Sequence, residues 1–338
     1  MINDVVLVFL GWFLGLFTPL VYVPIRRLWV RLRVLRDDSD SSEALDSLKF
    51  FTLNSWSPKR QLERSKVEVF YSSDDWQQTW IPHELLNKEK ISIADPGGPS
   101  STLRSIVVDH RESDQGQRLL LKYAKSEYSD FIAVSRILTG DPALAEAITH
   151  RLRSEDSSTM VEQAPPSVTA INVTVFSEDR RLLILRRSAA VRTSQNEWTL
   201  GPNETMLGPR LQAQAGGMED PFQLAERCLM EETGVGLDEL RLLCVSWVGY
   251  NVPGAICHWL AHAKVRLTSR ELTRRISQSH GGFEVDAIDW MKFDSKALDG
   301  IRQSAEAGSL DAHGRLWNRT AGLAAHDIRR WRLLLSRD

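Results

Sequence analysis

Three kinds of hydrophobic spacing succeed one another along the 338 residues. The first is an unbroken apolar run, the second a mixed middle, and the third a set of strand-like runs interrupted by one short helical period. From Val5 to Ile25 no residue is charged. At 1.5 Å per residue such a helix is roughly 31 Å long, about the thickness of a bilayer's hydrocarbon core. Arg26, Arg27, Arg31, Arg33 and Arg36 follow at once, and only Asp4 and the amino terminus precede it. This asymmetry predicts a single-pass transmembrane helix with the arginines, and the bulk of the chain, in the cytoplasm. A cleaved signal peptide fits less well, because no Lys or Arg precedes the run and no small-x-small site follows it. Gly11 and Gly15 have the Gly-x-x-x-Gly spacing of a helix-dimer contact, a weak pointer to a homodimer because such pairs are common by chance.

The remaining pattern divides the chain. Residues 1–36 form the anchor with its basic flank, and 37–47, rich in Asp and Ser, an acidic linker. Residues 48–155 read as an α+β middle domain of unknown role. It has a strand at Val67–Tyr71, a helix from Leu119 to Leu138, and a second helix from Ala143 to Leu152 that Asp141 caps ahead of Pro142. Asp95–Pro99 is a loop, and Trp76 and Trp80 are core candidates. Polar residues 156–166 make a second linker. Within 167–296, β-branched and alternating runs predict strands at Val168–Phe176, Leu182–Arg187, Leu240–Tyr250, Cys257–Leu267 and Phe283–Met291. Arg270–Ser277 is predicted helical. Residues 297–338 read as a helical C-terminal tail.

Composition narrows the picture modestly. A formal net charge of −2 implies no bulk attraction to nucleic acid, so none is expected as a partner. Cys228, Cys244 and Cys257 form no CxxC pair and cannot all pair together, which fits a reducing compartment and argues against structural zinc. The histidines, His313 and His326 among them, show no ligand spacing and are expected mostly at the surface.

The candidate chemistry lies in Gly217–Val235. Asp220 is a suitable N-cap, Pro221 fits the first helical position, Gln223 closes a capping-box variant, and Gly234 supplies the left-handed stop. At 100° per residue, Phe222, Ala225 and Leu229 share one face, while Arg227, Cys228, Glu231 and Glu232 share the other. Adjacent carboxylates on a short helix repel each other, and a divalent cation would remove that conflict. Glu219, Arg227, Leu229, Glu231, Glu232, Gly234 and Val235 stand in the register of the Nudix box, Gly-x5-Glu-x7-Arg-Glu-U-x-Glu-Glu-x-Gly-U, where U is aliphatic. The segment therefore resembles the Nudix hydrolases. Two positions depart from the pattern: Cys228 stands where the family has a glutamate, and Ala213 where it has the opening glycine. Trp198-Thr-Leu-Gly201 is similar to the turn before the box. Gly201 however stands 18 positions ahead of Glu219, where the family spacing is 6, so the intervening residues look like a loop insertion.

The resemblance implies a Nudix-like α/β/α sandwich that hydrolyses the pyrophosphate of a nucleoside diphosphate derivative with Mg²⁺ or Mn²⁺. It implies Glu231 and Glu232 as metal ligands, with Arg227 orienting the acidic cluster and Glu219 structural. Glu284 is a weaker ligand candidate from outside the box, and Arg186 and Arg187 are candidates for phosphate binding. Cys228 is a poor partner for Mg²⁺ and reads best as a small buried residue. An anchor, a middle domain and a divergent box together are similar to the SMODS-associated Nudix group of bacterial conflict systems. That likeness implies an alternative role, a nucleotide-sensing module with weakened turnover.

Overall fold

The computed structural model describes residues 45, 47–72, 80–93, 99–109, 118–154, 164–189, 191, 194–206, 219–279 and 284–335. The chain divides into two compact units, Met1–Asp46 and Ser47–Asp338. The expected span at Val5–Ile25, its arginine flank, Gly11, Gly15 and most of the acidic linker lie outside the described residues. So do Trp76, most of the Asp95–Pro99 loop, most of the 156–166 linker and residues 207–218. Among the described residues, no helix is long and apolar enough to cross a membrane.

The second unit is mixed α/β. Its larger sheet is built on β5 (Val168–Phe176), which runs parallel to β10 (Ile256–Val265), itself antiparallel to β9 (Leu240–Asn251). The strand order is β1-β9-β10-β5-β6-β11, with β1 at Phe50–Ser55, β6 at Arg181–Arg187 and β11 at Val285–Lys292. Two short strands, β7 (Trp198–Thr199) and β8 (Asn203–Thr205), attach to β6 and β5 respectively. All nine residues of β5 are buried, odd and even alike, as a strand covered on both faces requires. The β9–β10 connection is a tight turn in which the Asn251 side chain accepts from the Gly254 N–H at 2.7 Å.

Phe50–Ser55 falls within the expected middle domain, yet it forms the rim of this larger sheet, with Phe50 opposite Asn251 and Ser55 opposite Trp247. Pairing there satisfies backbone groups along β9 that would otherwise be open. Trp56 then stacks on Trp259 at 6.3 Å. The rest of 48–155 makes a three-stranded sheet in the order β2-β4-β3, from Val67–Ser72, Arg118–Glu127 and Pro99–Asp109. The helices α1 (His83–Ile91), α2 (Tyr128–Gly140) and α3 (Pro142–Ser154) accompany it. The single helix expected over Leu119–Leu138 is therefore corrected. Its first half is β4, in which Leu119, Leu121 and Tyr123 are buried at every second position, and only its second half is α2. Leu, Lys and Ala favour helix locally, but pairing to strands on both sides of β4 overrides that preference. Asp141 caps α3 as expected, accepting from the Leu144 N–H at 3.0 Å.

The C-terminal residues 297–338 are not an appendage. After α4 (Pro221–Thr233) and α5 (Ser269–Ile276), helices α6 (Ser295–Ala307) and α7 (Arg319–Leu335) pack against each other, and α7 lies on β5 and β10. Ala321, Ala324, Ile328 and Trp331 bury its inner face. A polar latch fixes it there. His262 on β10 holds Asp327 of α7 through Nε2 at 3.0 Å and Thr174 of β5 through Nδ1. Burial opposes charge on Asp327, but the His262 hydrogen bond and its neighbours outweigh it and keep the carboxyl below its usual range. Of the histidines expected mostly at the surface, His83, His150 and His313 are exposed, and two are exceptions. His262 and His258 are interior because the sheet's helix-covered face encloses them. Thr174, His262 and Asp327 have the residue types of a hydrolytic triad but are sealed from solvent, so their arrangement is architectural.

Candidate functional site

Helix α4 forms as its sequence requires. Asp220 accepts from the N–H groups of Phe222 at 2.7 Å and Gln223 at 2.8 Å, and the Gln223 side chain accepts from the Asp220 N–H at 2.9 Å. Gly234 ends the helix in the left-handed region at φ 69°. Phe222, Leu224, Ala225, Cys228 and Leu229 are buried. Arg227 is the tie point of the other face. It donates to both Glu219 carboxylate oxygens at 2.6 and 3.2 Å, to Glu231 at 3.2 Å, and to the Thr205 carbonyl of β8 at 2.7 Å. Burial works against its charge. The hydrogen bonds to Glu219 and the nearby carboxylates outweigh that and raise its pKa further.

The two adjacent carboxylates sit in different environments. The Glu231 side chain is 45 % exposed and leans on Arg227, while Glu232 is only 8 % exposed. Burial, then the charges of Glu284 and Glu204, push Glu232 up to about 8, with Arg187 partly offsetting them. Arg187 enters from the end of β6. It donates to Asn203 at 2.6 Å and stands 3.9 Å from Glu284. Arg186 does not join it. Successive strand residues face opposite sides, and Arg186 instead lies 4.0 Å from Asp286. The two arginines therefore face different surroundings. Glu231, Glu232, Arg227, Arg187 and Glu284 do come together.

Glu204 was missed. It lies on β8, inside what reads as an inserted loop, and no local periodicity marks a three-residue strand. Gly201 makes this strand attainable: at φ +82° it turns the chain so closely that an added Cβ would stand 2.0 Å from the Val173 carbonyl oxygen. Pro202 then accepts from the Val173 N–H at 2.9 Å, and Glu204 falls opposite Ile171. Its carboxylate is 3.7 Å from Arg227. Burial raises its pKa, and Arg227 opposes the rise.

Five carboxylates, Glu204, Glu219, Glu231, Glu232 and Glu284, thus surround two guanidiniums, Arg187 and Arg227. The excess of negative charge and the hard oxygen donors suit a divalent cation, and Glu232 is raised first by burial and then by the neighbouring charges of Glu284 and Glu204. Among the described residues, no three His, Cys, Asp or Glu side chains converge closely enough to hold an ion at once. The fit is one of charge and donor type. Cys228 adds no donor, because it is fully buried and burial holds its thiol far above the usual range.

This environment gives a definite pH dependence. An ordinary carboxyl loses its proton near 4.5, whereas folded Glu232 keeps it to about 8. Between those values the folded chain binds a proton that the unfolded chain has lost, so this group's contribution to stability falls as pH rises. The melting temperature of the full-length chain in chelator is expected to drop between pH 5 and 8.5, and to drop less in Glu232→Gln. Added Mg²⁺ is expected to shrink the difference. Parallel pH curves for the two proteins would contradict this account.

No protein-family model matches the chain, and no curated protein does. Solved structures with similar folds include a mutT/nudix family protein from Listeria innocua, 17% identical, covering 50% of this chain and 98% of that one at a TM-score of 0.32. Others are a MutT protein from Methanosarcina mazei (15% identity, 50% and 96% coverage, TM-score 0.28) and a MutT Nudix hydrolase from Burkholderia pseudomallei (17%, 48% and 98%, 0.28). A likeness of this size decides nothing about chemistry, which rests on the carboxylates of α4, β8 and residue 284 and on the guanidinium ends of Arg187 and Arg227.

Proposed function

We propose that residues 167–296 are a Nudix-like module that hydrolyses the pyrophosphate linkage of a nucleoside diphosphate derivative with Mg²⁺ or Mn²⁺. The observation that carries this reading is Glu232, a buried carboxylate crowded by Glu284 and Glu204 on the box helix. Glu231 and Glu232 would hold the cation, with Glu284 alongside. A dication there would neutralise phosphate charge and activate the attacking water. Arg227 keeps the Glu231 end of α4 and the β8 backbone in fixed relation. Arg187, partly desolvated and facing the carboxylates, is placed to pair with a phosphate oxygen. In this proposal the run Val5–Ile25 tethers the module to the cytoplasmic face of a membrane.

The test is phosphate release by the full-length chain from a panel of dinucleotides and nucleotide sugars with Mg²⁺ or Mn²⁺. Glu232→Gln is expected to lose on the order of 100-fold or more in turnover. Undiminished turnover in that variant would refute the assignment. The buried thiol at Cys228, where the box has a carboxylate, favours a second reading as a nucleotide sensor. Saturable nucleotide binding without phosphate release would select it.

A further inference from the structure

Arg187 carries its charge on a long side chain, whose end has to be held in place if it is to meet a phosphate. Its backbone is fixed, donating to the Glu197 carbonyl at 2.9 Å and accepting from the Asn196 N–H at 3.0 Å. Its two outer nitrogens face different neighbours. Nη1 donates to Oδ1 of Asn203 at 2.6 Å, while Nη2 stands 3.9 Å from Oε2 of Glu284, beyond hydrogen-bond reach. The Arg187 side chain is only 13 % exposed. Asn203 is itself firmly seated. It falls opposite Asn172 on β5, and the Pro202 carbonyl before it accepts from the Val173 N–H at 2.9 Å and the Asn172 side-chain amide at 3.2 Å. On its other side the Met206 N–H donates to the Thr169 carbonyl at 2.8 Å. The amide oxygen of Asn203 is a neutral acceptor. It takes a hydrogen bond from the guanidinium without cancelling the positive charge, which a carboxylate in the same place would do.

Building on the hydrolase reading above, we propose that Asn203 is a positioning residue for Arg187. It holds the guanidinium short of a full ion pair with Glu284 and leaves its charge to the diphosphate of the substrate. Without that acceptor the arginine closes on Glu284, and the resulting pair no longer attracts an anion. With an aspartate at 203 the guanidinium stays in place but is neutralised. A role confined to the folding of β8 predicts neither result.

The experiment measures binding of inorganic pyrophosphate with Mg²⁺ to the full-length chain by isothermal titration calorimetry, with a thermal melt of each variant. Asn203→Leu is expected to weaken binding about tenfold, the scale of one hydrogen bond to a charged group. Asn203→Asp is expected to weaken it by a similar factor while melting no lower than wild type. On an Arg187→Ala background, Asn203→Leu is expected to change affinity less than twofold, because the group it positions is gone. If Asn203→Leu fails to fold, Asn203→Asp still decides. Affinity within twofold of wild type in Asn203→Asp, or an equal loss from Asn203→Leu with and without Arg187, overturns the proposal and leaves Asn203 a structural member of β8. No pyrophosphate binding by the wild type counts against the hydrolase reading itself, and this proposal falls with it.

Discussion

Arg227→Ala is expected to destabilise the folded chain by about 3–5 kcal/mol, the cost of stranding a buried charge after its partner is removed. The Arg227 side chain is 15 % exposed and that of Glu219 only 10 %, and the two are joined through both carboxylate oxygens. Without the guanidinium, Glu219 keeps little water to replace it. Glu231 and Glu204 lose a shared counter-charge, and the Thr205 carbonyl loses its donor. Urea denaturation with Mg²⁺ absent would read the loss. Adding Glu219→Gln on the same chain is expected to return part of it, because the stranded charge is then gone. A loss below about 1 kcal/mol in Arg227→Ala would mean that the cluster is solvated after all.

Asp327→Ala is expected to be comparably severe, again about 3–5 kcal/mol, for a different reason. His262 is wholly buried between Thr174 and Asp327 and ties α7 to β10. The alanine variant leaves an imidazole nitrogen without its acceptor beneath Trp331, whose ring centre lies 5.6 Å away. The double variant His262→Leu with Asp327→Leu is expected to recover much of the stability, since both partners of a buried pair can give way to apolar groups at small cost. Equal destabilisation by the single and double variants would show that packing volume, and not the unsatisfied group, sets the loss.

What was legible in the sequence follows the range of the forces involved. Helix α4 was fully readable, because Asp220, Pro221, Gln223 and Gly234 act within a few residues of one another and the acid spacing is a property of a single turn. The strands β5, β6, β9, β10 and β11 were readable from alternation and β-branching. The 118–127 strand was not, since Leu119, Leu121 and Tyr123 become strand residues only through partners at 67–72 and 99–109. The same holds for Glu204, which enters the site because Gly201 turns the chain onto β5, and for the His262–Asp327 latch, whose partners are 65 residues apart. Arg186 and Arg187 looked equivalent in the sequence and were separated only by the pleat of β6.

The way β1 closes the larger sheet bears on how this chain is to be handled. A fragment starting at the 156–166 linker would carry all five acids, yet it would leave the outer margin of β9 bare along the stretch from Trp247 to Asn251 that now pairs with Phe50–Ser55. Such a ribbon, rich in Trp, Val and Tyr, is a template on which further chains can zip together. Phe50–Ser55 is thus a built-in guard against self-stacking, and a fragment has to begin ahead of Phe50 to keep it.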